Sequence, residues 1–197
     1  LPGWQSFYQQ YGDRVEVISI AQDAQGAAVV IPWLEQAGTT FRTLVDQHNE
    51  LGKAFSLKYV PVAVIVDADG RLVRPITGVN IGDDGFRAEL EAWATTGDVP
   101  AAWRATEAPE HRQLSQAERE ADARLQLALV LLEMQRAEEA LEQLRLAVKA
   151  DPGNWLIRKQ MWAIETPGAF YHGPVDYAWQ KAQQQLEDEG FLRQELR

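Results

Sequence analysis

The sequence has no cysteine in its 197 residues, which excludes disulfides, thiol catalysis and thiolate metal sites within it. It is poor in positive charge, with 19 Lys and Arg against 29 Asp and Glu and a formal net charge of −10. No basic patch stands out, and phosphate backbones want one, so nucleic acid is not an expected partner. Long apolar runs are missing too. The richest stretch, around Leu125 to Leu132, is interrupted by Gln126 and bounded by Arg124 and Glu133. A bilayer span needs about 18 apolar residues, so no membrane span is expected. The three histidines, His48, His111 and His172, share no i, i+4 spacing. A helical metal site wants that spacing, so each reads as a surface histidine. Neither a phosphate-cradling glycine loop nor Gly-x-Ser-x-Gly occurs, and no cofactor is implied. No signal-peptide pattern is present, and the compartment stays open. The chain begins Leu1-Pro2 without an initiator Met, which reads as a piece of something longer.

What is present is enough to fold. Hydrophobic residues make up 46% of the chain, with seven Trp, which is the composition of a globular core and not of a disordered segment. Trp4, Phe7, Tyr8 and Tyr11 fall at i, i+3, i+4 and i+7, one face of a helix that Pro2 opens and Gly12 closes. That face reads as core, with a border to a substrate groove as the other reading. Val15 to Ile20 reads as a buried β-branched strand. A helix from about Ala27 to Gln36, containing Pro32, ends at Gly38. Phe41 to Val45 reads as extended and Asn49 to Phe55 as a short helix. Val60 to Val66 reads as a buried strand, returned by the turn Asp67-Ala68-Asp69-Gly70 into Arg71 to Thr77. Asp83 or Asp84 caps a helix through about Ala94. Asp67 and Asp69 resemble a carboxylate pair, but turn bonds to backbone amides explain both. Asp23 and Asp46 read as caps or turns.

From Thr95 to Gln113 the periodicity fails and Gly97, Pro100 and Pro109 collect, so residues 96–114 read as a linker between domains 1–95 and 115–197. Ser115 with Glu118 forms a capping box for the next helix. The remainder reads as helical, apart from Thr166 to Pro174. The run Glu187 to Glu189 reads as a solvated helix end.

The order of these pieces resembles the thioredoxin-like oxidoreductases of the TlpA/ResA or peroxiredoxin-like type. The matching residues are Gln10-Tyr11-Gly12-Asp13, Val15 to Ile20, Phe41 to Asp46, Tyr59 to Asp67 and Asp69 to Val73. The resemblance implies an α/β thioredoxin-like fold over residues 1–95. It also implies a cis bond between Val60 and Pro61, which would line the active site. The residues alone allow a trans Pro opening a strand. The family's first strand and Cys-x-x-Cys motif would precede Pro2, so the resemblance implies a fold lacking its first strand and its nucleophile. Two explanations stay open, a boundary upstream of which the motif lies (Cys or selenocysteine) or a domain that has lost it. The missing strand would sit between Val15–Ile20 and Val62–Asp67. The gap is expected to be filled by another copy or closed by pairing those strands directly.

Arg124 to Pro152 is similar to one tetratricopeptide repeat, on Leu127, Ala128, Leu131, Ala140, Leu144, Ala147 and Asp151-Pro152. Trp155 to Ile164 would begin a second, and a last helix runs from about Val175 to Glu189. The resemblances imply a thiol or selenol redox protein acting on a protein disulfide, small disulfide or peroxide, with this chain itself inactive. The alternative is a non-catalytic interaction scaffold, in which the helices hold a protein partner. A homodimer completing the sheet is a further expectation.

Overall fold

A computed structural model describes residues 1–104, 113–173 and 175–195, with side chains as far as residue 190. Pro109, His111 and Pro174, all used in the sequence reading, lie outside the described residues. The chain divides into two compact units, Leu1–Leu114 and Ser115–Arg197.

The first unit opens with α1 (Pro2–Tyr11), β1 (Ile18–Ala21), α2 (Ala27–Ala37), β2 (Arg42–Val45) and α3 (Glu50–Ala54). It continues through β3 (Val62–Ala63), β4 (Thr77–Gly78) and α4 (Asp84–Thr96). Pro2 sits in the first turn of α1, where no amide donor is needed. Gly38 closes α2 in the left-handed conformation. Asp83 caps α4 by accepting a hydrogen bond from the Phe86 amide at 2.8 Å. Phe7 of α1 and Phe86, Leu90 and Ala94 of α4 form the main core with Ile65 and Trp103. Trp103 belongs to a short 3-10 turn, Ala101–Trp103, within the segment expected as a linker. Its indole N–H donates to Glu89 at 2.8 Å, so this part of the segment is packed structure.

The expected α/β thioredoxin-like fold, lacking only its first strand, is not what the chain forms. Most described residues are helical, and the strands make two separate two-stranded sheets, with no thioredoxin-like α/β core. β1 pairs parallel with β2, and β3 pairs antiparallel with β4. The Val60–Val66 run yields a strand of two residues and one further bridge, Val66 to Leu72. Direct pairing of β1 with β3, the expected closure of the gap, does not occur. The physical reason lies in covering. A β-branched run favours extension, but it becomes a buried sheet only when elements lie on both faces. Here Ile18, Ile20, Leu44, Val64 and Val66 remain exposed.

The second unit contains α5 (Gln116–Glu133), α6 (Ala137–Ala150), α7 (Trp155–Glu165), α8 (Pro167–Tyr171) and α9 (Tyr177–Glu195). Ser115 and Glu118 form the full capping box of α5, with bonds of 3.2 and 2.8 Å. α5 and α6 fold back on each other across a short turn in which Gln135 takes a φ of 60°. Ala121, Ala128, Ala140 and Ala147 are fully buried and let the helix backbones approach, while Leu125 and Leu144 fill the space between. α8 occupies part of the stretch expected to be irregular.

Candidate functional site

The Val60–Pro61 bond is cis, as the resemblance implies, and both residues are exposed. The Pro61 carbonyl accepts the Val79 amide at 3.3 Å. Two residues on, Ile81 meets the first turn of α1 so closely that a Cβ on Gly3 would fall 2.6 Å from its Cγ2. A larger residue at position 3 would force the Ile81 side chain to shift. Residues 79–81 therefore tie the Val60–Pro61 loop and the start of α1 to one end of the unit.

Downstream of Pro61 the backbone leaves hydrogen-bonding capacity unused. In a strand, the N–H and C=O of one residue point to one side and those of the next to the other. Pro61 and Ile65 accept from Val79 and Val73, and Asp67 donates to Arg71. Odd-numbered residues thus face the returning segment 71–79, and Val62, Val64 and Val66 direct their backbone groups to the opposite, open edge. β1 behaves in the same way. Ala21 accepts from Asp46 beyond β2, so odd-numbered residues face β2 and Ile18 and Ile20 present theirs to an open edge.

The side chains repeat the pattern. Val15 and Val17, and likewise Ala63 and Ile65, pack into the core around Phe7 and Phe86, to which β2 contributes nothing. The chain just before β1 and the strand β3 therefore both contribute to the core that α1 and α4 build. On the other face Ile20 is 40% and Val64 42% exposed. A fully buried aliphatic side chain contributes about 1.5–3 kcal/mol, part of which these residues forgo. Unpaired edges with exposed β-branched residues are what proteins usually blunt with charge or cover.

The other sequence-read groups have structural duties. Asp46 accepts from the Glu50 and Leu51 amides at 2.7 and 2.9 Å and from Gln22 Nε2 at 2.8 Å, fixing the start of α3. Asp67 accepts from the Asp69 and Arg71 amides within its turn, and Asp23 from the Gln25 amide. Trp4 and Phe7 pack edge to face in the core. His48 and His172 are exposed. Among the described residues no group of His, Cys, Asp and Glu is arranged to hold a metal ion, and no helix is long and apolar enough to cross a membrane.

Sequence reasoning missed a cluster in the second unit. Arg158 on α7 is wholly buried, donating to Glu187 Oε2 at 2.7 Å and to the Pro152 carbonyl at 3.1 Å. It stacks against Trp155 and Trp162, and the Trp162 indole N–H donates to the other oxygen of Glu187. Trp179 and Phe170 continue the aromatic packing. Burial pushes the Glu187 carboxyl above its ordinary value, outweighing the pull of Trp162 and Arg158. Glu187 therefore belongs to an internal clamp between α7 and α9, and the solvated helix end expected there is corrected to this extent. A charge at an inward helical position was the available signal. No protein-family model, curated protein or solved structure matches this chain.

Proposed function

We propose that this chain is a protein-binding module that works as a non-catalytic scaffold through its first unit. The observation that carries this reading is the unpaired edges of β1 and β3, bordered by exposed Ile18, Ile20, Val64 and Val66. Such a surface offers backbone hydrogen bonds for affinity and apolar contacts for selectivity. Panning a displayed peptide library against the full chain tests it. Recovered sequences that bind saturably and compete with one another are expected. Recovery of none that binds more tightly than about 1 mM would sink the reading.

A second reading, a thiol or selenol redox protein, is favoured by the shared placement of the Val60–Pro61 loop and the first turn of α1. A nucleophile there would attack a disulfide or peroxide, and it would have to come from outside these residues. The Val60 backbone would meet the substrate. Sequencing the gene upstream of the Leu1 codon tests this. A cysteine or in-frame selenocysteine codon a few positions ahead of Pro2 is expected, and a native start codon near Leu1 would refute it.

A further inference from the structure

We propose that the face of α7 and α8 on which α9 lies is a docking site for an acidic amphipathic helix of a partner protein, with α9 as its displaceable occupant. The partner helix carries an aromatic residue at i, a carboxylate at i+8 and apolar residues between them on the same face. The site belongs to the second unit and stands apart from the strand edges of the first.

The seat is aromatic and cationic, and α9 meets it with two anchors. Trp179 packs edge to face against Trp162 of α7 and Phe170 of α8, with ring centroids 5.6 and 5.8 Å apart. Glu187 accepts from Arg158 and from the Trp162 indole, and Asp188 lies 3.7 Å from the same guanidinium. Trp155 packs on both Trp162 and Arg158. Arg158 is wholly buried in this arrangement, so a helix on the seat must bring a carboxylate to it. The two anchors stand at i and i+8, about 12 Å apart along a helix.

Between the anchors α9 fits poorly. A helix on a protein surface ordinarily turns an apolar stripe inward. The covered row of α9 is instead Gln180, Gln183 and Gln184, buried or half-buried, while Leu186 and Tyr177 stand 63% and 73% exposed. Covering amide side chains contributes far less than covering leucines. The connection from α8 is equally unpacked. Gly173 has open space about it at a φ of 93°, and Val175, Asp176 and Tyr177 are exposed. A helix on a short tether docks at an effective concentration of about 1 mM or more, so weak contacts suffice to seat α9. A helix with the same anchors and leucines at the glutamine positions makes the apolar contacts that α9 lacks.

The probe is a blocked, fluorescently labelled peptide of residues 176–190 carrying Gln180→Leu, Gln183→Leu and Gln184→Leu, titrated against the full chain. Saturable binding is expected, with faster amide exchange in α9 and unchanged protection in α5 and α6. The same peptide with Glu187→Gln or Trp179→Ala is expected to bind about tenfold more weakly, for loss of one anchor. Trp179→Ala in the chain itself weakens the occupant and leaves the seat intact. It is expected to tighten peptide binding about tenfold, because apparent affinity follows the fraction of open seats. A purely structural role for Trp179 would move the affinity the other way.

Binding that leaves α9 exchange unchanged puts the peptide elsewhere and overturns the site. Failure of the peptide to bind both the natural chain and the Trp179→Ala chain overturns it as well. Exchange in α9 as slow as in α5 in the free chain makes α9 a fixed part of the fold and overturns its displacement. A dimer in which the α9 of a second copy takes the seat assigns the site to exchange between copies and overturns the foreign partner.

Discussion

The two units treat their apolar side chains in opposite ways. The helical unit turns them inward, packing alanines and leucines between α5 and α6 and tryptophans against the Arg158–Glu187 pair. The first unit builds a core on one face of its strands and leaves the other face and the edges of two small sheets open. The difference shows what each architecture needs from its neighbours. A helix satisfies its own backbone and must hide only a stripe, whereas a strand depends on something beside it as well as something above it.

Substitutions should separate the two. The largest effect is expected from Trp162→Ala, which empties a site only 1% exposed. A loss of about 3–5 kcal/mol follows from comparable core truncations, read as a lower urea midpoint by far-ultraviolet circular dichroism. Glu187→Ala comes next, because it removes the acceptor of both the Arg158 guanidinium and the Trp162 indole, at a cost of about 1–3 kcal/mol. Loss of less than about 1 kcal/mol would show that the pair is dispensable to the clamp.

Glu187 also gives the helical unit a pH signature. Its folded value lies above the unfolded one, so its stabilising contribution is present below the unfolded value and is lost as pH rises through the folded value. Urea midpoints of the natural chain and Glu187→Gln, compared across acidic to neutral pH, should shift in favour of Gln as pH increases. A gap that is flat with pH, or moves the other way, would contradict this. Ser115→Ala, which removes half of the α5 capping box, should cost about 1 kcal/mol. The smallest effect belongs to the open unit. Ile20→Thr should change stability by less than about 0.5 kcal/mol while lowering the binding of a hydrophobic dye. A large loss there would show that Ile20 is covered in solution.

The same contrast governs what the sequence could convey. The capping box at Ser115 and the alanines of α5 and α6 carry helix information locally, so those elements were legible from spacing. Val15 to Ile20 and Val60 to Val66 read as strands for a sound local reason, their branched side chains. Whether such a run is covered on both faces depends on distant residues, and that is where the expected α/β core failed. Open edges are equally invisible, since no residue type announces an unpaired amide. The Arg158–Glu187 clamp was hidden because its carboxylate sits in an acidic run that resembles a solvated tail, 29 residues from its partner.

That separation has a consequence for the birth of the chain. Ribosomes extend proteins at about 5–20 residues per second, so Arg158 is made roughly 1.5–6 seconds before Glu187. During that interval α5, α6 and α7 have all been synthesised, but the guanidinium has no carboxylate to bury against and stays hydrated. Closure of the tryptophan cluster is therefore timed by the emergence of α9, which carries both Trp179 and Glu187.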